Sequence, residues 1–295
     1  MNRFLKRYSA FLDVKKLKNL KIPKAIRINT LKIDEETLLR RFLREKVIVE
    51  KIDFLDYGYS IKESRFSLGS TPEFLLGYYY IQEAASQLPV QVLMPLSTDI
   101  VLDMAASPGG KTTQIAQYME NKGVLVAVEK EKHRLDSLIS NIERIGVKNC
   151  IVYNIDASNI HTLNMQFDKI LLDAPCSGNF LTDPKWFDKK SVNGFAERRE
   201  LQKKLLAAGI RALKKGGILV YSTCSFEPEE NEEVIDWALR SLPINIEKIE
   251  LQIGAPALES FEGKKFSKEL QKCIRIIPYE RNTQPFFIAK LSKTI

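Results

Sequence analysis

Two cysteines stand where apolar runs stop. In "GILVYSTCSFEPEEN" the thiol of Cys224 follows a β-branched stretch and precedes an acidic one, and in "KILLDAPCSGNF" Cys176 follows another such run. A thiolate is a strong nucleophile, and a helix starting near Pro228 is placed to favour it at Cys224, partly opposed by Glu227, Glu229 and Glu230. Cys150 and Cys273 have no such setting and read as small apolar residues. The sequence has four cysteines without a Cys-x-x-Cys pair, and two histidines, His133 and His161. That is little material for a disulfide framework, a zinc site or a histidine-dependent triad, so no metal is expected. The chemistry falls to thiols, carboxylates and lysines.

A second group lies in "LDMAASPGGKTTQIA", a strand, a small-residue turn and a helix start. Ala105, Ala106, Ser107, Pro108, Gly109 and Gly110 let a ligand approach the backbone, and the helix that follows, opening near Lys111, offers free N–H groups. With alanine at position 105 the stretch is not a triphosphate-binding loop, and it is not a G-x-G-x-x-G turn. Acids end four successive strands: Asp103, Glu129, Asp156 and Asp173. Any one of them is as readily a helix cap. As a row they suit ribose hydroxyls and a positively charged, adenosine-bearing ligand, which favours S-adenosylmethionine over a dinucleotide.

Positioning such groups needs a sheet. From residue 99 onward, apolar strands (99–105, 123–129, 150–156, 167–174, 217–224) alternate with amphipathic helices (111–121, 131–145, 195–214, 227–241). This implies an α/β fold, a Rossmann-like doubly wound sheet that is mostly parallel, with residues 273–293 forming an antiparallel edge hairpin. Ahead of it, a basic helix over 1–20, a strand over 24–32, a helix over 34–46 and one or two strands after it suggest a small α+β domain over 1–75. Residues 76–295 form the catalytic domain, opening with a helix over 78–93.

The chain of 295 residues carries a net charge of +8, nearly all of it at one end. Residues 1–32 hold ten basic side chains against Asp13, a net +9, and the remainder is nearly neutral. A nucleic-acid partner fits, because lysines and arginines release counterions from phosphates; a merely solvated surface fits as well. Arg27 and Asn29 of the basic segment are the favoured RNA contacts. In the loop 182–195, Trp186, Phe187, Lys185, Lys189 and Lys190 either stack on bases and hold phosphates or pack as a structural pair. No apolar run approaches the ~20 residues of a membrane span, and the basic start leads into no signal-peptide core. The expectation is a cytoplasmic, monomeric protein with no membrane or metal partner.

Together, "DMAASPGGKT", "DAPCSG", "YSTCSFEPEENEEV", "RINTLK" and "YIQEAAS" resemble the RNA cytosine-5 methyltransferases of the NOL/NOP/Sun family over nearly the whole chain. The compact length looks most like the archaeal tRNA members. The resemblance implies a basic RNA-binding domain followed by a domain that transfers a methyl group from S-adenosylmethionine to cytosine in RNA, with tRNA as the expected substrate. It makes Cys224 the nucleophile, links Cys176 to product release, puts Asp173 on the cytosine ring and places Lys111 close by. It wraps Ala105 to Lys111 around the methionine part of the cofactor, with Glu129 at the ribose, Asp156 near the adenine and Arg134 beside the site. Alternatives are the same chemistry on ribosomal RNA and a basic RNA-binding protein without catalysis. The chain departs from the family pattern at Ala105, Ser107, Tyr279 and Pro285, the last two in a tail that meets RNA less predictably.

Overall fold

A computed structural model describes residues 2–294. The first part of the chain builds α1 (Arg3–Tyr8), α2 (Val14–Leu17), β1 (Ala25–Ile28), α3 (Glu35–Arg44), β2 (Ile48–Lys51), β3 (Gly58–Glu63), α4 (Pro72–Leu75) and β4 (Tyr79–Ile81). The strands make an antiparallel sheet in the order β2-β3-β1-β4. Two expectations need correction here. The single helix over 1–20 is two short ones, because Asp13 caps a new start by accepting from the Lys15 amide. Residues 78–93 do not all coil. Tyr79–Ile81 is a strand paired with β1, as suits consecutive tyrosines, and helix begins only at Ala84 after Glu83 accepts from the Ser86 amide.

The rest comprises α5 (Ala84–Leu93), β5 (Ile100–Asp103), α6 (Gly110–Tyr118), β6 (Val124–Val128), α7 (Lys132–Ile145), β7 (Cys150–Tyr153), β8 (Phe167–Asp173), α8 (Trp186–Lys189), α9 (Val192–Ala212), β9 (Leu213–Thr223), α10 (Glu232–Ser241), β10 (Ile244–Glu247), β11 (Ala255–Pro256), β12 (Ser260–Phe261), β13 (Lys264–Lys265), β14 (Ile274–Ile276), α11 (Pro278–Arg281) and β15 (Phe286–Lys293). The main sheet runs β11-β14-β15-β9-β8-β5-β6-β7, with β10 also on β15. Strands β5 to β9 are parallel, and β15 enters antiparallel to β9. The terminal hairpin β14–β15 is present, extended outward by β11.

Alternate strand residues face opposite layers. Leu102, Ile170, Leu172 and Tyr221 join one core with α9 and α10, while Val101, Leu171 and Val220 join another with α5 and α6. Burial on both faces explains the unbroken apolar runs of the sequence. After β5 the chain winds one way through β6 and β7, then returns to place β8 and β9 on the other side. The crevice of such a sheet opens at this reversal, at the carboxyl ends of β5 and β8. The glycine turn leaves β5 there, and the Pro-Cys loop leaves β8.

Candidate active site

At the end of β9, Thr223 donates to the Asn231 side chain at 2.6 Å, and Asn231 in turn donates to the Ser225 carbonyl at 3.0 Å. These bonds fold the chain back immediately after Cys224. From the neighbouring loop, Asn179 donates to the Cys224 carbonyl at 3.0 Å and Ser177 meets Ser225 at 3.1 Å. Glu230 accepts from the Ser177 amide at 2.9 Å and from Gln202 at 3.2 Å. Burial raises that carboxyl above its ordinary range. The two loops are thereby laced together, and the sulfurs of Cys176 and Cys224 lie 3.4 Å apart, both half-buried. The hydrogen bond with Cys224 and then burial push the Cys176 thiol well up, so it keeps its proton at neutral pH.

Asp173, the last residue of β8, accepts from Ser222 on β9 at 2.7 Å through one oxygen and from the Lys111 ammonium at 2.7 Å through the other. Burial pulls Lys111 down, but Asp173, helped by Cys224 and Asp103, outweighs it and holds the ammonium above its usual value. Lys111 sits in the first turn of α6, whose N-cap, Gly109, has φ +105° and no side-chain cap. A Cβ there would be strained by that φ and pressed to 3.3 Å from Leu138 and Asn141.

Two clefts meet at Ala105. One, of about 220 Å³, is lined by Ala106, Ser107, Pro108, Gly110, Lys111 and Asp173 together with Tyr80, Gln82 and Glu83. The other, of about 320 Å³, is lined by Glu129, Arg134 and Asp156 together with Pro175, Leu201 and Leu205. Ser107 donates to the Arg134 carbonyl at 3.0 Å, and Arg134 donates back to the Ser107 carbonyl at 2.9 Å while reaching Glu129 at 3.5 Å. The serine that departs from the family pattern therefore fastens the turn to α7.

The site residues named from the sequence converge on this crevice, with corrections around it. Asp103 does not join the row of acids. It is buried behind the turn, accepts from Thr112 at 2.7 Å and the Ala105 amide at 3.3 Å, and is pushed up to about 6 by burial. The acidic stretch does not start a helix at Pro228; α10 begins at Glu232, and the segment between holds buried carboxylates instead. Arg27 and Asn29 are fully buried and cannot meet RNA. Arg27 donates to Gln82 and the Gly110 carbonyl, both at 2.6 Å, to Thr113 at 2.8 Å and to Gln117 at 3.0 Å. Asn29 donates to the carbonyls of Gly77 and Ile145. Trp186 is 1% exposed and donates to the Ser177 carbonyl at 2.9 Å, so the packed reading of that loop holds for it. Lys185 and Lys189 stay at the surface, where Lys189 pairs with Asp183. Cys150 and Cys273 lie away from the crevice in β7 and beside β14, with burial pushing Cys150 up to about 12.

Sequence reasoning read Glu230 only as a charge near Cys224, not as the acceptor that ties the two loops, and it missed Asn179, Asn231, Ser177 and Ser225. Their only signal was the run of small polar and amide residues following each cysteine.

The family described as 16S rRNA methyltransferase RsmB/F matches residues 90–292, and the N-terminal domain of 16S rRNA methyltransferase RsmF matches residues 1–84. A tRNA (cytosine(49)-C(5))-methyltransferase of Pyrococcus abyssi is 40% identical over 91% of this chain and 88% of that protein. A 28S rRNA (cytosine-C(5))-methyltransferase of Mus musculus is 37% identical over 92% of this chain, which spans only 35% of that longer protein. Among solved structures, NSun6 from Pyrococcus horikoshii with SFG, an S-adenosylmethionine analogue, superposes with a TM-score of 0.84 at 28% identity, over 95% of this chain and 93% of that one. Matched by the family profile across most of its length and by relatives well above the level of chance likeness, the chain belongs to the RsmB/F (NOL/NOP/Sun) family of S-adenosylmethionine-dependent RNA cytosine-5 methyltransferases.

Proposed function

We propose that this chain methylates cytosine in tRNA through a transient covalent bond between Cys224 and carbon 6 of the ring. The observation that carries the reading is the 3.4 Å approach of two thiols at the carboxyl ends of adjacent parallel strands. A protein that only binds RNA needs neither thiol.

Carbon 5 of cytosine is a poor nucleophile. Addition of the Cys224 thiolate to carbon 6 makes the ring enamine-like and nucleophilic at carbon 5, dividing one hard step into two easier ones. S-adenosylmethionine supplies a methyl group made electrophilic by its sulfonium. Hydrogen bonding at ring N3 assists the addition. Asp173 has both oxygens engaged as acceptors, so Lys111 is the donor at that edge and Asp173 holds it in place. After transfer the carbon-5 proton passes to solvent water, its bonding pair restores the C5–C6 double bond, the carbon–sulfur bond breaks, and Cys224 departs with the electron pair as a thiolate. Cys176 is the proton-bearing group beside that sulfur and is assigned to release.

The crevice fits the cofactor. Leu201, Leu205 and Pro175 offer apolar surface for a purine in the same cleft as the carboxylates of Glu129 and Asp156. We assign Glu129 to the ribose, Asp156 to the adenine side, Ala105 to Lys111 to the methionine part, and Arg134 to holding Glu129 and Ser107. We divide the chain between Ile81 and Ala84 rather than at residue 75, because β4 pairs with β1. The N-terminal part is the RNA-binding module of this reading.

The tRNA assignment is supported by the Pyrococcus abyssi relative, named for tRNA and spanned over 88% of its length. The matching family's description favours ribosomal RNA as a second reading. Bisulfite sequencing of tRNA and ribosomal RNA after incubation with the protein and S-adenosylmethionine separates them. New protected cytosines in tRNA are expected, and protection confined to ribosomal RNA would overturn the substrate while keeping the chemistry.

A further inference from the structure

Between the N-terminal helices and the chain that follows the Pro-Cys motif lies a groove of about 940 Å³ that no step of the reaction uses. One wall is Phe180, Leu181 and Phe187 from the chain that follows the Pro-Cys motif. The other is Leu5, Val14 and Leu20 from the two N-terminal helices and the strand of chain after them. These six apolar residues are only half-buried. Exposed Lys15 and Lys18 stand at the mouth, with Asp13 the one acid among the lining residues.

The groove wall is packed against the loops that carry the active site. Phe180 stacks on Phe226 with ring centroids 5.3 Å apart and on Phe187 at 4.9 Å. Phe226 is two residues beyond Cys224, and Asn179, which precedes Phe180, holds the Cys224 carbonyl. A ring on the groove wall is thus built onto the same loop that aims the nucleophile.

We propose that this groove holds the unpaired nucleotides flanking the target cytosine, their bases against Phe180 and Phe187 and their phosphates on Lys15 and Lys18. The inference rests on the RNA-methylating reading above and gives it a substrate subsite. A cytosine that must present carbon 6 to a thiolate has to leave its stack, and its neighbours then need new stacking partners. Apolar walls that include the open parts of these rings, with cations at the rim, serve any base sequence. The charge at the mouth, continued by the basic segment 15–24, complements phosphate. An acidic peptide would meet the same charge but has no reason to sit against the loop that carries the nucleophile.

The test uses the full chain and a short unstructured RNA carrying one cytosine, with 4-thiouridine next to it for photo-crosslinking. The exposed double variant Lys15→Glu/Lys18→Glu is expected to raise the KM for RNA at least tenfold. It should also flatten the dependence of log affinity on log salt by about 1.4, the value for two lost phosphate contacts on a single strand. Affinity for S-adenosylmethionine, measured by calorimetry, is expected to stay unchanged. Phe187→Ala is expected to weaken RNA binding roughly five- to hundredfold. Crosslinks are expected on the peptides containing Phe180, Phe187 or residues 12–20. An unchanged KM and salt slope in the lysine variant, or crosslinks confined to other surfaces, would overturn the groove while methylation by the wild type upheld the function. Absence of methylation of any RNA by the wild type would overturn the function itself, and the groove with it.

Discussion

The pair of thiols divides its work through protonation. Cys176 is kept as a thiol by its bond to Cys224 and by burial, so it can hydrogen-bond to the Cys224 thiolate before addition and give that sulfur its proton as it leaves. Cys224→Ala is expected to abolish methylation, below one part in a thousand of wild-type turnover, with S-adenosylmethionine affinity retained. Turnover near the wild-type rate would remove it as nucleophile. Cys176→Ala should still add to the ring but stall at release, leaving a protein–RNA adduct that survives denaturing electrophoresis. A release role for Cys176 does not survive if that slow-migrating band is missing. The two roles proposed for the thiols come from the family resemblance, while the placing of both was readable from the sequence because each cysteine follows an apolar strand. The contact between them was not, since it depends on β8 and β9 being neighbours although α8 and α9 separate them in the chain.

At the scale of elements, the small sheet is joined to the cofactor turn by buried polar side chains. The Arg27 guanidinium, pushed down to about 9 by burial, is paired with no carboxylate among the described residues and is held by oxygens of Gln82, just after β4, and of Gly110, Thr113 and Gln117 on α6. Arg27→Leu would leave those acceptors buried and unpaired, so it is expected to cost about 3 kcal/mol and to weaken S-adenosylmethionine binding by displacing Gly110. Urea unfolding and calorimetry check the two effects separately. Gly77 makes a second joint. Its φ is +74°, and a Cβ would lie 1.8 Å from the Arg144 carbonyl oxygen. Gly77→Ala should therefore force the module away from α7, destabilising by more than about 2 kcal/mol. "RINTLK" looked like an RNA contact because basic and amide residues on a short strand usually face solvent. Here the strand lies between two folded units, and its polar groups satisfy their buried interface.

For the whole molecule, the N-terminal helix straps the catalytic loop. Arg7 reaches Glu227 at 3.3 Å, Glu229 at 2.5 Å and Glu262 at 3.0 Å, while the Tyr8 hydroxyl donates to Glu227. Burial dominates at Glu227 and raises it from 4.5 to about 8, against the opposing pull of Tyr8 and Arg7. A carboxyl raised in the folded state binds its proton more tightly there than in the unfolded chain. Its contribution to stability is therefore complete below about pH 4.5 and fades as pH rises towards 8. Denaturation midpoints measured from pH 5 to pH 8 should fall through this window, and the slope should flatten in Glu227→Gln. An equal slope in the variant would show that another group sets it. Tyr279, where the family pattern has histidine, belongs to the same strap. Its hydroxyl accepts from the Asp13 amide at 3.2 Å, and Lys16 lies over its ring.

The sequence by itself determined the doubly wound sheet, the glycine turn, three of the four strand-end acids that line the crevice and the placing of both thiols after strand ends. These follow from local rules: apolar runs buried on two faces, helices opening after small residues, and ligands at strand ends. It also carried the uneven charge. Only the tertiary structure decided that Tyr79–Ile81 is a strand, that Asp103 faces inward, that Arg27, Asn29 and Trp186 are interior, and that Asp173 is clamped between Lys111 and Ser222. Each of these depends on a partner distant in the chain. A side chain's type says what bonds it can form, but whether solvent, ligand or protein supplies the partner is settled by which surfaces the fold brings together.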